Sequence, residues 1–90
     1  MIYKYNFAFR VLEQWEGSIC ISKTPIDDVN NSLFKGQNLS DFEAVRKIAQ
    51  QNNQKTIEML HYNNWTNKEY TYSIMDAYTG KEEYTGQDGS

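Results

Sequence analysis

The run IYKYNFAFRV at residues 2–11 constrains the fold more than any other stretch of the chain. An extended backbone places Tyr3, Tyr5, Phe7, Phe9 and Val11 on one face and Ile2, Lys4, Asn6, Ala8 and Arg10 on the other. A helix would scatter the same five large side chains around its axis, so the first element reads as a strand whose aromatic face needs a cover. After EQWEG the residues SICIS alternate again, Ile19 and Ile21 against Ser18, Cys20 and Ser22, and Gly17 marks the turn of an antiparallel hairpin.

Two helices can supply the cover. Thr24-Pro25-Ile26-Asp27 reads as a helix start: Thr24 can accept from unpaired N–H groups, Pro25 fits the first helical position, and Asp27 suits the positive end of the helix dipole. Ile26, Val29 and Leu33 or Phe34 follow at helical spacing, and Gly36 is a natural stop. Ser40-Asp41-Phe42-Glu43 is a capping box, ahead of a stripe of Phe42, Val45, Ile48 and Ala49 that fades near Gln51 to Asn53.

Beyond it, KTIEMLHY (55–62) and KEYTYSIMDAY (68–78) are extended runs joined by an Asn-rich loop, a hairpin signal. Their alternation predicts Ile57 opposite Ile74, Met59 opposite Tyr72 and His61 opposite Tyr70. The reverse side then carries Glu58, Leu60 and Tyr62 against Ser73, Thr71 and Glu69. The sum is an α+β fold in the order β-β-α-α-β-β: a small antiparallel four-stranded sheet of two hairpins, with one main and one short helix packed on one face. Lys4, Asn6, Arg10, Ser18, Ser22, Thr71 and Ser73 would face water. Residues 1–79 read as a single α+β domain and residues 80–90 as an acidic flexible tail.

Ninety residues bound the chain to one small core, filled in large part by its thirteen aromatic side chains (four Phe, two Trp, seven Tyr). Net charge is −3, and it is unevenly spread: residues 1–55 hold seven basic and six acidic side chains, residues 56–90 two and six. A protein that binds nucleic acid through phosphate neutralisation has the opposite balance, so direct nucleic-acid binding is not the expected role. Cys20 and His61 are each the sole residue of their type, which rules out an intramolecular disulfide and a Cys/His zinc quartet. No stretch has the length and apolarity of a membrane span and none reads as a secretory signal, so the expected location is cytoplasmic.

A hydrolytic triad needs a base steered by a third group, and His61 reads instead as a half-buried residue bonded to a tyrosine or a carbonyl. The pairs Asp27-Asp28 and Glu82-Glu83 point apart as sequence neighbours, and no glycine-rich phosphate loop occurs, so no enzyme activity, cofactor or metal is expected.

What remains is a protein-binding module: a small acidic inhibitor or accessory protein of the phage or mobile-element counter-defence type, resembling anti-CRISPR proteins in size and charge alone. It would dock on a larger, nucleic-acid-processing protein with a basic groove. The alternative is a nucleic-acid-binding or regulatory domain that uses the Lys4 and Arg10 face. An uncovered edge strand can also pair with its own copy, which leaves a homodimer open.

The expected partner-binding residues are Trp65 with Asn64, Asn67, Tyr62 and Glu69 near the hairpin loop, and Glu82 and Glu83 in the tail. Trp65 has two readings. It either folds back over Met59 or Tyr70 to cap the core, or stands out as an anchor, since Trp dominates interface hot spots.

Overall fold

The computed structural model describes residues 1–85 of the chain. Six strands and two helices follow in the order β1 (Ile2–Asn6), β2 (Val11–Glu16), β3 (Ile19–Pro25), α1 (Ile26–Leu33), α2 (Asp41–Gln51), β4 (Thr56–Asn63), β5 (Lys68–Asp76) and β6 (Glu82–Tyr84). The strands form one mixed sheet in the spatial order β3-β2-β1-β4-β5-β6. β1 and β4 are parallel and every other neighbouring pair is antiparallel. The α+β class holds, but the four-stranded antiparallel sheet does not.

Two local causes account for the difference. The alternating run at residues 2–11 is β1, a turn and the first residue of β2. The Asn6 side-chain oxygen accepts from the backbone N–H groups of Ala8 (3.0 Å) and Phe9 (3.1 Å), and Arg10 takes a left-handed φ of 56°, so the chain reverses. Tyr5 is therefore buried and Tyr3 and Phe7 pack against the core, whereas Phe9 is exposed and Leu12 takes the inward place expected of Val11. The second cause is β6. Glu82–Tyr84 pairs with β5 between Ser73 and Met75, so these residues belong to the sheet rather than to a tail. The rest of the expected tail, 86–90, lies outside the described residues.

Because β4 joins β1 on the side away from β2, the chain must cross the sheet between β3 and β4, and α1 and α2 make that crossing. The core lies beneath them, built from Tyr5, Leu12, Ile57, Met59, Met75 and Ala77 of the sheet side and Ile26, Val29, Phe34, Ala44, Val45, Ile48 and Ala49 of the helical side. α2 starts where its capping box predicts: Ser40 Oγ accepts from Glu43 N–H at 3.2 Å. Its buried stripe differs at one place, with Ala44 inside and Phe42 largely exposed, meeting Tyr5 edge-on at 6.2 Å. α1 has Pro25 rather than Thr24 at its N-cap and no side-chain cap, and Phe34 rather than Leu33 completes its buried face. None of the helices is long and apolar enough to cross a membrane among the described residues.

The β4–β5 register is as expected near the loop, where His61 pairs with Tyr70, Leu60 with Thr71 and Tyr62 with Glu69. A bulge between Met59 and Leu60 leaves Tyr72 as the extra residue, and beyond it Met59 pairs with Ser73, Glu58 with Ile74 and Ile57 with Met75.

The sheet also curls. Lys23 on β3 and Glu69 on β5 stand four strands apart, about 19 Å in a flat sheet, yet Lys23 Nζ lies 2.9 Å from Glu69 Oε1. The face away from the helices is therefore concave, and it encloses Asn6, Glu13 and Leu60, all buried. The expected solvent-facing side is in this respect wrong. Ser73 is buried as well, donating from Oγ to Glu82 at 2.7 Å.

Candidate functional site

The β4–β5 hairpin ends in a loop held by its own asparagines. Asn63 Oδ1 accepts from the backbone N–H of Trp65 (2.8 Å) and of Thr66 (3.4 Å). Asn67 adopts a φ of 56°, which asparagine tolerates better than most residues, and its Oδ1 accepts from the Tyr62 hydroxyl at 2.8 Å. The turn is thus fixed by side chains within six residues of the indole. Trp65 is 94 % exposed and covers neither Met59 nor Tyr70. Asn64 is exposed beside it.

Behind the tip runs a series of ring contacts. Phe7 lies 5.0 Å from His61 and 5.5 Å from Tyr72, His61 lies 5.6 Å from Tyr70, and Tyr72 meets Tyr84 at 5.1 Å and 86°. The bulge leaves Tyr72 unpaired between Thr71 and Ser73, where strict alternation would have put it opposite Met59. The helices leave the rings partly open: Phe7, His61 and Tyr70 are half-buried, Tyr72 is at the margin and Tyr84 is exposed. His61 Nδ1 is 3.4 Å from the Tyr70 hydroxyl, the tyrosine neighbour expected of it. A second pair, Phe9 and Tyr62 at 4.9 Å, lies nearer the tip.

The concave face carries charge instead. Cross-strand pairing sets Lys23, Glu13, Lys4 and Glu58 in one row over four adjacent strands, alternating in sign. Lys4 binds Glu58 at 3.2 Å and lies 4.2 Å over the Trp15 ring. Lys23 lies 3.8 Å from Glu13 and 2.9 Å from Glu69. Glu13 is fully buried, and its Oε1 accepts from Trp15 Nε1 at 2.9 Å. Burial, then the neighbouring Glu69, pushes the Glu13 carboxyl above its ordinary range. Burial also acts on Glu69, but the hydrogen bond from Lys23 and the interaction with Glu13 outweigh it and hold that carboxyl low. The Cys20 thiol, 3.8 Å from Glu13 Oε1, is pushed up by burial and by that carboxylate, the reverse of what a nucleophile needs.

Of the seven residues expected to bind a partner, the fold brings Tyr62, Asn64, Trp65 and Asn67 together at the hairpin tip. Glu69 belongs to the concave face, tied to Lys23. Glu82 and Glu83 sit on β6, Glu82 accepting from Ser73 and Glu83 exposed. Lys4 and Arg10 share no face. Arg10 stands in the β1–β2 turn and binds Asp27 (2.9 Å) and Asp41 (2.7 Å) at the starts of both helices. The ring series and Glu13 escape a reading of the sequence, although Glu13 left a trace as a carboxylate placed in strand alternation with Trp15. Among the described residues no three His, Cys, Asp or Glu side chains stand together as a metal would require. No protein-family model matches the chain, and no curated protein or solved structure does either.

Proposed function

We propose that the chain is a non-catalytic protein-binding module, a small acidic inhibitor or accessory factor that docks through the tip and open rings of its β4–β5 hairpin on a basic groove of a larger protein. The observation that carries this reading is Trp65: a 94 % exposed indole on a turn that Asn63 and Asn67 fix in advance. An exposed tryptophan has no role in the fold, and one held on a rigid loop loses little further freedom on binding, which is the condition for an interface anchor. Phe9 and Tyr62 add aromatic surface behind it, and Tyr72 and Tyr84 add more on the opposite face of the hairpin.

Charge suggests the kind of partner. From residue 56 to 85 the acids are Glu58, Glu69, Asp76, Glu82 and Glu83, against Lys68 and Lys81. An acidic surface gains on-rate toward a Lys/Arg groove made for phosphates, such as that of a nucleic-acid-processing enzyme. The nucleic-acid alternative has less support, because Lys4 and Arg10 are both engaged by carboxylates and lie apart.

The test uses the wild-type chain and Trp65→Ala as parallel baits in lysate of the cells that encode it, followed by titration with the purified partner. The expected result is a protein retained by the first and lost by the second. Affinity falls about 30-fold or more, the equivalent of about 2 kcal/mol, and weakens as salt rises. A partner that binds both chains equally, or direct binding of random oligonucleotides by the isolated chain, would overturn the reading.

A further inference from the structure

Glu13 and Glu69 come from opposite arms of the curled sheet and meet on its concave face. Glu13 is fully buried, and the Oε2 atoms of both carboxyls are buried with no ordinary hydrogen-bond donor in reach. Their other oxygens are engaged, Glu13 Oε1 by Trp15 and Glu69 Oε1 by Lys23. Two carboxylates on one lysine offer each other acceptors only, so the pair is unsatisfied with both ionised. One proton resolves it: the protonated carboxyl donates to the ionised one. Two like charges that share one lysine, one of them on a fully buried carboxyl, disfavour double ionisation for the same reason.

The groups around the pair are consistent with one negative charge. β3 contributes Lys23, 3.8 Å from Glu13 and 2.9 Å from Glu69, and the Cys20 thiol. β1 contributes the buried Asn6 amide, whose Nδ2 is likewise without a hydrogen-bond partner, and Lys4, which is taken up by Glu58 of β4. β2 adds the Trp15 indole N–H. One cation therefore faces two carboxyls.

We propose that Glu13 and Glu69 share a single proton at neutral pH, and that this proton clamps the β4–β5 hairpin to the β2–β3 arm across the concave face. Burial and the Glu69 charge, which raise the Glu13 carboxyl, act in the same direction. Glu13 has a folded pKa above its unfolded one, so its contribution is complete below the ordinary carboxyl range and is lost as pH rises through the folded value. Glu69 is the reverse, contributing above the ordinary range and losing that as pH falls. The clamp is therefore strongest between the two.

Infrared spectroscopy of the wild-type chain at pH 7 reads the proton directly, since ordinary carboxyls are then ionised. A carboxylic-acid band is expected, and it disappears in Glu13→Gln. Absence of the band in the wild type, or its survival in Glu13→Gln, overturns the shared proton. The clamp is read in a Cys20→Ser background, which removes the thiol that titrates in the alkaline range. Raising the pH until the band vanishes should lower Tm by about 4 °C or more, while Glu13→Gln over the same range stays flat. Loss of the band with Tm unchanged overturns the clamp. If Glu13→Gln does not fold, the wild-type band and its pH dependence still decide the matter.

Discussion

Asp41 shows how much of this fold depends on single side chains. It opens α2, and it accepts from Arg10 Nε at 2.7 Å and from the Tyr5 hydroxyl at 2.8 Å, so one carboxylate joins the β1–β2 turn, the central strand and the main helix. Arg10 holds it below the ordinary carboxylate range, and burial together with Asp41 pushes the Tyr5 hydroxyl up. Tyr5→Phe keeps the ring packing and removes one bond, so it should destabilise by about 1 kcal/mol, seen as a lower urea midpoint at unchanged slope. Trp65 is the contrasting case. Trp65→Ala should leave stability within about 0.5 kcal/mol and abolish the red-shifted, quencher-accessible part of the tryptophan emission. The sequence places Trp65 in a loop, because alternation stops at Tyr62 and resumes near Glu69. Which way the indole points is set by the bonds of Asn63 and Asn67, and these can be assigned only once the turn is known.

Elements are legible where a local interaction defines them. The capping box at Ser40 is such a case, and Ser40→Ala should cost about 1 kcal/mol, measured by the thermal midpoint. The register of the β4–β5 hairpin is legible for the same reason only near its turn, where His61 pairs with Tyr70. It fails past the bulge, since one extra residue exchanges the faces and nothing in YTYSIM announces where it falls. The N-terminal run fails differently: Asn6 turns the chain by bonding forward to Ala8 and Phe9, while the residues around it keep up a strand-like alternation. β6 has three residues, two of them acidic, and no pattern at all; it forms because β5 presents an open edge beside it. Ending the chain after Lys81 would remove the bond from Ser73 to Glu82 and leave the buried hydroxyl without its acceptor, and it would uncover Met75. The loss should be on the order of 1–3 kcal/mol, and a truncation after Thr85 serves as the control.

At the scale of the whole molecule, the curl of the sheet is the feature that no local pattern encodes. It brings β3 against β5, and the cation at the contact is Lys23. Its charge is favoured chiefly by the hydrogen bond to Glu69, so the contact contributes at neutral pH. Lys23→Met removes that cation while keeping its stem. At pH 7 the acid pair then keeps a negative charge beside the buried Glu13 with no counter-charge, and the sheet should lose stability. Since Lys23 is more than half exposed, solvent screening limits the loss to about 1 kcal/mol. As pH falls through the low folded value of Glu69, the pair becomes neutral, Lys23 has nothing left to balance, and the variant should approach the wild type. The difference in urea midpoint between the two chains therefore shrinks from pH 7 toward the acid limit of folding. An equal difference at every pH would mean that Lys23 acts through the packing of its stem alone, and that the two arms of the sheet are held together by shape and not by charge.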